Sequence, residues 1–563
     1  MQILLKHSFL CLLAAFTLSF PLFAQEDLEN WHHQDKGHTF SNGIGTQAWY
    51  SGAPQPAERK VVVAILDSGI DFTHPDLQAN IWTNPGEIAG NNRDDDGNGY
   101  IDDIHGWNFL GGANGKSVIK ESLEVTRLYS KEKAKWDKVE PATLKGNQLK
   151  EYEEYLAKKE IVESKIEGAR QHIEETAQMK NIIMTALNAA KMVIGNDTLN
   201  VEKLEQSSDE AVQTAAKIIR NVEEQGLKVE NIDWLIDVAN EQFLLQTKAD
   251  EDNLNYSFNP DYNSRTIVGD NYYDFTDRIY GNNDVAGEFS FHGTHVAGIV
   301  GAVRNNGIGM DGIADNVALM SVRLVPDGDE RDKDVANGIM YAVNNGAEVI
   351  NMSFGKGYSP EKRLVDNAMK YAAKKDVLLV IGSGNESANM DEATNYPNDT
   401  YYGKKKAKIK NLISVGAVGP EGGNASIAEF SNYGKTQVDV FAPGVYIYST
   451  TPDSTYDYAS GTSMSAPVVS GMAALIRSRY PKLSASQVKD ILIKSTTKLP
   501  STVIQPGTYV EVASSELSVS GGTVDLPAAM ALAAKTKGKR KSTSMPAEYK
   551  GGAPKSVSNQ SKT

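Results

Sequence analysis

The feature that most restricts how this chain folds is a series of short, continuous, apolar runs rich in β-branched residues. They are VVVAIL at 61–66, VALMSVRL at 317–324, AEVINMSF at 347–354, DVLLVIGS at 376–383, NLISVGAV at 411–418 and VDVFAP at 438–443. A run without polar alternation marks a strand buried on both faces, as in a parallel sheet. Helical patterns at 334–345 and 360–374 fall between several of these runs. Strand alternating with helix predicts an α/β architecture, a doubly wound and mostly parallel sheet with helices on both faces.

The alternation is interrupted at 117–263 by a segment rich in Glu, Lys, Gln and Ala. Within it Tyr155, Val162, Ile166, Ala169, Ile173, Ile183, Leu187, Ala190 and Ile194 recur at spacings of three and four, with Lys159, Thr176 and Lys180 as polar exceptions. That is a seam of coiled-coil type on one long helix. Further helices are expected at 208–225, ending at Gly226, and at 231–245, so the segment reads as an inserted helical hairpin or small bundle. It serves either as a solvated spacer or as a regulatory or gating element.

Residues 1–24 combine Lys6, an apolar run from Ser8 to Phe23 and a small residue, Ala24, the pattern of a secretory signal peptide. The only cysteine, Cys11, lies inside that segment, so no disulfide or thiol chemistry is expected after its removal. No later stretch is apolar for the roughly 18 to 20 residues that a membrane span needs. Residues 535–563 hold eight Lys/Arg against one Glu and lack apolar periodicity, which predicts a basic, disordered tail. The formal net charge is nevertheless −15, so the body is more acidic still. An acidic body excludes nucleic acid as the main partner, because phosphate binding needs a basic face, and it suits cation binding. The expected domains are therefore 25–116 with 264–534, the helical insertion 117–263, and the tail.

Three motifs carry the chemistry: AILDSGIDFTHPDL with Asp67, FHGTHVAGIVGA with His292, and ASGTSMSAPVVSG with Ser463. A serine hydroxyl becomes an effective nucleophile when an imidazole takes its proton, and a carboxylate fixes the imidazole tautomer and stabilises the imidazolium. Asp67 ends a buried strand before Ser68-Gly69, His292 precedes Gly293-Thr294, and Ser463 follows Gly461-Thr462 before an apolar helical run. Such positions, at sheet and helix edges, let reactive side chains converge.

On these motifs the chain resembles the subtilisin-like serine peptidases, the subtilase family, over 29–116 and 264–530. The Asp, His, Ser order is that of subtilisin and is taken from the resemblance. The resemblance implies that Asp67 orients the base, that His292 is the general base and that Ser463 is the nucleophile. His295, Ser460 and Ser465 are then structural. VLLVIGSGNES is similar to the family's oxyanion-hole motif, which implies Asn385 as side-chain donor beside the backbone N–H of Ser463. By the same resemblance an extended peptide pairs with Ser353-Phe354-Gly355, and the first specificity pocket is walled by Gly382, Ser383 and Gly384 with Asn395 near its base. Those wall motifs contain no acidic residue, so the expected preference is apolar or broad.

DDDGNGYIDD at 94–103 places Asp94, Asp96, Asn98, the Tyr100 carbonyl and Asp102 at alternate positions, with Gly99 at a sharp turn. This resembles the first nine positions of an EF-hand loop and suits Ca²⁺, which takes six to eight oxygens. Position twelve is His105 instead of the bidentate Glu, so Asp103 or a distant group must complete the shell. Asp76 of HPDL matches a calcium ligand of the family and is a further candidate. Only 42 residues separate Ala24 from Asp67, too few for the folding prodomain that many secreted subtilases carry, which leaves unaided folding or shielding by the helical insert.

The expectation is a secreted or periplasmic, calcium-stabilised serine endopeptidase acting on protein or peptide substrates through an acyl-enzyme, with neither nucleic acid nor a membrane span. A non-catalytic binding protein on the same fold is the opposing class, and the complete triad with Asn385 argues against it. A lipid or ester hydrolase is disfavoured because GTSMS departs from the G-x-S-x-G elbow and the triad order differs from that fold's.

Overall fold

Strand β1 (Val61–Asp67) sends Val61, Val63 and Ile65 into one apolar core and Val62, Ala64 and Leu66 into a second. Its sequence shows no polar alternation because both faces are dry. In the computed structural model of the chain, which describes residues 28–35, 42–52, 54, 56–195 and 197–541, β1 stands inside a nine-stranded sheet. The other strands are β2 (Gly106–Asn108), β3 (Val317–Arg323), β4 (Val349–Met352), β5 (Leu378–Gly382), β6 (Leu412–Val418), β7 (Val440–Pro443), β10 (Thr497–Lys498) and β11 (Gly522–Thr523), while β8 (Ile447–Thr451) and β9 (Thr455–Ala459) form a separate hairpin. The order is β10-β11-β7-β6-β5-β4-β1-β3-β2. Every pairing is parallel except β10 with β11. All six apolar runs of the sequence are strands of this sheet, which is the expected doubly wound class.

Two compact units divide the described residues, Val125–Tyr262 and the remainder. The first is helical: α1 (Glu124–Trp136), α2 (Asn147–Ile194), α3 (Val201–Glu205), α4 (Glu210–Glu224) and α5 (Ile232–Asp252). Every seventh residue of α2 from Tyr155 to Ala190 is buried, namely Tyr155, Val162, Ala169, Thr176, Ile183 and Ala190. Helices of the same unit cover that seam: Tyr155 stacks on Tyr129 of α1, and Ile183, Leu187 and Ile194 share a core with Ile219 of α4 and Leu235 of α5. The unit begins later than the expected residue 117. Val118 packs with Leu110 and Val268, and Glu121 pairs with Arg331, so residues 117–124 belong to the larger unit.

In the larger unit α6 (Phe291–Gly301), α9 (Thr462–Arg479), α10 (Ala485–Lys494) and α11 (Leu526–Lys535) line the first core, through residues such as Val296, Met472, Val488 and Met530. On the opposite face α7 (Asp332–Asn344) and α8 (Lys362–Lys374) line the second, through Val335, Ile339, Val365 and Met369. The basic tail expected from residue 535 starts later than composition suggested. Lys535 closes α11, and the Arg540 side chain is fully buried, its Nη1 2.6 Å from Glu348 Oε2 and its Nε 3.0 Å from Asp376 Oδ2. A guanidinium with two carboxylate partners is a packed element even in a Lys-rich stretch. The expected leader at 1–24 and residues 542–563 lie outside the described residues.

Candidate active site

Asp67 is the last residue of β1, His292 the second of α6 and Ser463 the second of α9. All three therefore lie at the carboxyl end of a strand or in the first turn of a helix. The end of β1 and the start of α6 meet so closely that a Cβ on Gly293 would stand 2.1 Å from the Gly69 carbonyl oxygen and 3.1 Å from Asp67 Cβ. That approach requires the glycine after the histidine, and it brings His292 Nδ1 to 2.7 Å from Asp67 Oδ1. Asp67 is 1% exposed, and the same Oδ1 accepts the Ser68 N–H at 2.7 Å. With the carboxylate ionised, Nδ1 carries the proton and Nε2 is the acceptor. Burial alone would lower the His292 pKa. The charge and hydrogen bond of Asp67 outweigh it and hold the imidazole above the usual histidine value.

Pro467 sits inside α9 without an N–H to offer, so the carbonyl of Ser463, four residues earlier, has no helical donor. The Ser353 hydroxyl takes that place, donating to Ser463 O at 2.8 Å. Ser353 Oγ accepts from Asn351 Nδ2 at 2.9 Å, and Asn351 Oδ1 accepts from Ser470 Oγ at 2.8 Å. A buried relay of fixed polarity thus anchors the Ser463 backbone. The Ser463 hydroxyl itself donates to Ser353 O at 3.2 Å and makes no hydrogen bond to His292 among the described residues.

Asn385 Oδ1 accepts both the Thr462 N–H, at 2.9 Å, and the Thr462 hydroxyl, at 3.0 Å. Two donors on the oxygen fix which end of the amide is which, and its NH₂ is left as an exposed donor. Thr462 Oγ1 also accepts the Gly384 N–H at 3.1 Å, so one hydroxyl ties the loop of Gly384 and Asn385 to the start of α9. Ser463 lies in the first turn of that helix, where N–H groups have no intrahelical acceptor.

The neighbouring candidates go elsewhere. His295 Nε2 lies 3.1 Å from both Ile447 O and Asp457 O, and burial pushes its pKa down to about 4, so it stays neutral. Ser460 Oγ accepts the Tyr446 N–H, and Ser465 Oγ donates to Ala442 O. Thr462, Pro467, Asn351 and Ser470 were not singled out from the sequence. Pro467 stood in the quoted motif GTSMSAP, and its missing N–H was the available signal.

Among the expected substrate-binding residues, Ser353 is buried, Phe354 half-buried and Gly355 exposed. Gly382 and Ser383 are buried at the end of β5, and Gly384 is half-buried. Asn395 reaches both walls, its Nδ2 lying where a Cβ on Gly355 would be 2.7 Å away and one on Gly384 3.2 Å away. Gly382, Ser383 and Asn395 also line an open cavity of about 520 Å³ that continues to Asp399 and Ser414. The wall is less neutral than its motifs suggested: Glu386 Oε2 lies 2.6 Å from the Cβ position of Gly384 and accepts from Asn432 Nδ2 at 2.6 Å.

The structure regroups the expected calcium ligands. Asp94 Oδ1 accepts the N–H groups of Gly97 and Asn98, and its Oδ2 that of Gly99. Asp102 accepts those of Asn91 and Asn92, and Asn98 Oδ1 that of Tyr100. Tyr100 is buried, with its hydroxyl on Arg278 O. The group that converges is instead Glu87, Asp96 and Asp103. An EF-hand loop aims alternate oxygens inward between two helices. Here the loop runs into strand β2, so the alternate positions close turns. Asp76 is fully buried, and its oxygens accept from Asn306 Nδ2, the Met310 N–H and the Tyr456 hydroxyl.

The sequence profile of the subtilase family, peptidase S8, matches residues 58–509. The chain is 41% identical over 212 residues to subtilisin DY of Bacillus licheniformis, covering 37% of this chain and 71% of that protein. It is 41% identical over 221 residues to the thermophilic serine proteinase of Bacillus sp. strain AK1, covering 39% of this chain and 49% of that protein. To subtilisin BL of Lederbergia lenta it is 39% identical over 212 residues, covering 38% and 72%. The chain belongs to the subtilase family and is a subtilisin-like serine endopeptidase, with protein or peptide substrates.

Proposed function

We propose that Ser463 is the nucleophile of this endopeptidase, His292 its general base and acid, Asp67 the group that orients His292, and Asn385 the side-chain donor to the oxyanion. The observation that carries this is the 2.7 Å bond between His292 Nδ1 and Asp67 Oδ1, made across 225 residues of sequence. The Ser463 hydroxyl turns about χ1 from the Ser353 carbonyl towards His292 Nε2, which takes its proton as Oγ attacks the scissile carbonyl. Asp67 stabilises the imidazolium, in keeping with the raised His292 pKa. The oxyanion meets the Asn385 NH₂, held outward by Thr462, the Ser463 N–H and the positive end of α9. His292 then protonates the leaving amine, and the Ser463 ester is hydrolysed by a water that His292 deprotonates.

The substrate lies extended along Ser353-Phe354-Gly355, where backbone hydrogen bonds give sequence-tolerant binding and the pocket formed with Gly382, Ser383, Gly384 and Asn395 takes one side chain. The exposed Gly355 backbone beside Asn395 supports this placement. The peptidase domain comprises the two stretches flanking the helical unit, and the division into two compact units supports that assignment. The enzyme is exported, a reading supported by Lys6 and the apolar run that follows it, and no helix of the described residues is long and apolar enough to cross a membrane. Calcium stabilises it, supported by the carboxylates gathered in the loop before β2.

The test is hydrolysis of an internally quenched peptide library by the wild type and by Ser463→Ala, His292→Ala and Asp67→Asn, with products identified by mass spectrometry. Internal cleavage lost in all three variants is expected. Cleavage surviving Ser463→Ala would overturn the assignment.

A further inference from the structure

The segment assigned to pair with the substrate ends at Gly355, and the residue after it, Lys356, has a side chain only 2% exposed. Burying an ammonium is costly unless its N–H groups find acceptors. Lys356 Nζ has three: Glu124 Oε2 at 2.7 Å, Asp332 Oδ1 at 2.9 Å and the Glu330 carbonyl at 2.7 Å. Both carboxylates are buried too, and burial pushes the Glu330 carboxyl up to about 8, so at neutral pH the ammonium faces the charges of Glu124 and Asp332. The cavity that Lys356 shares with Glu330, Asp332, Ser359 and Tyr396 measures about 10 Å³, room for about one water.

Each partner is itself fixed. Asp332 opens α7, and its carboxylate accepts the Ser359 hydroxyl at 3.0 Å and the Glu361 N–H at 2.8 Å, so it also holds the loop that follows Lys356. The Glu124 N–H donates to Asp329 Oδ2 at 2.7 Å. The backbone of Lys356 makes a second attachment: its N–H donates to Tyr396 O at 3.0 Å, and its carbonyl accepts the Tyr396 N–H at 2.9 Å. Asn395, whose amide reaches Gly355 and Gly384, is the residue before Tyr396. One lysine thus ties the 353–355 segment to the far side of the pocket by its backbone and to Glu124 and Asp332 by its side chain, all within the larger unit.

We propose that Lys356 is a positioning residue: with Glu124 and Asp332 it holds the 353–355 backbone in the register in which an extended peptide pairs with it, and so governs affinity for long substrates without taking part in bond breaking. The proposal deepens the function above and rests on the placement of the substrate along Ser353-Phe354-Gly355. An apolar side chain of similar volume fills such a site at comparable stability. What the buried ion cluster adds is direction, because three acceptors fix Nζ and the stem carries that constraint back to the backbone next to Gly355. Hydrogen bonds weaken steeply with misalignment, so a displaced segment loses its pairing to the peptide while Ser463 and His292, on other elements, keep their places.

The full chain is assayed on internally quenched peptides of increasing length, with the rate of fluorophosphonate labelling and the thermal midpoint read beside them. In wild type kcat/KM should rise with length, and N-methylation of the backbone of the longest peptide should cancel the rise. Lys356→Met should raise KM for that peptide by about tenfold while kcat and the labelling rate stay within about threefold, the pattern of lost binding without lost transition-state contact. Glu124→Gln leaves one ammonium beside one carboxylate, so it serves where Lys356→Met does not fold, and should raise the same KM by about threefold. Variants of lowered thermal midpoint but wild-type KM, or a fall in kcat and labelling as large as the rise in KM, would overturn the positioning role. Wild type indifferent to peptide length and to N-methylation would instead overturn the placement of the substrate on which the role rests.

Discussion

Thr462→Val tests whether the Asn385 amide is oriented by its neighbour. The substitution keeps the volume and the backbone N–H that Asn385 Oδ1 accepts, and removes one hydroxyl that makes two hydrogen bonds, to Asn385 Oδ1 at 3.0 Å and from the Gly384 N–H at 3.1 Å. A neutral hydrogen bond contributes about 0.5 to 1.5 kcal/mol. If the bond to Asn385 acts wholly by aiming the NH₂ at the oxyanion, its loss lowers kcat by about twofold to about tenfold, since about 1.4 kcal/mol is one decade. KM should stay within about twofold, because the ground-state carbonyl does not need the donor. Asn385→Ala should lose far more, since removing the corresponding donor of subtilisin, a relative of this chain, costs about 10² to 10³ in turnover. Steady-state kinetics on one chromogenic peptide separates the cases. A Thr462→Val variant as impaired as Asn385→Ala, or one unchanged in kcat, would refute the idea that this hydroxyl positions the donor.

Three further outcomes follow from the same contacts. Because Asp67 holds the His292 pKa above the ordinary value of about 6.5, the acid limb of kcat/KM should lie above that value, and in Asp67→Asn the residual activity should show it shifted down, as burial alone dictates. His32 and His33 are buried with ring centroids 4.1 Å apart, and burial pushes His32 down to about 3 and His33 well below normal, with His295 and Arg304 adding to the effect on His32. Neutral when folded and protonated near 6.5 when unfolded, they contribute stability that is full above that pH and is lost on acidification, so His32→Phe should show a smaller fall in Tm between pH 7.5 and 5 than wild type. Arg540→Ala should lower stability by about 1 to 3 kcal/mol in denaturant melts, less than an isolated buried pair, because Arg59 and Arg477 still balance Glu348 and Asp376.

The strands were legible in the sequence because burial on both faces removes alternation, as in VVVAIL, and the proposed triad of Asp67, His292 and Ser463 was readable because each member sits in a long motif. The meeting of Asp67 and His292 from the ends of β1 and α6 depends on register across 225 residues of chain, which no local pattern carries. The metal loop shows the same limit. Spacing suggested Asp94, Asp96, Asn98 and Asp102, but Gly97 and Gly99 turn the chain so that Asp94 faces backbone amides, and Glu87, seven residues upstream of it, arrives through the fold. Glu386 escaped notice for a related reason: it follows Asn385 in sequence, yet only the turn at Gly384 folds its carboxylate back beside the pocket wall. Arg540 is a residue whose burial composition argued against, since a Lys-rich stretch resembles a solvated tail until two carboxylates are placed beside it.

Reaction with a fluorophosphonate, followed by mass-spectrometric location of the adduct, bears most directly on the central claim that Ser463 is an activated nucleophile. The account predicts one adduct per chain on Ser463, formed more slowly as pH falls through the raised His292 pKa and the imidazole is protonated, and absent from Ser463→Ala and strongly slowed in His292→Ala. Folded wild-type protein that takes no label, or labels at another serine, would contradict it.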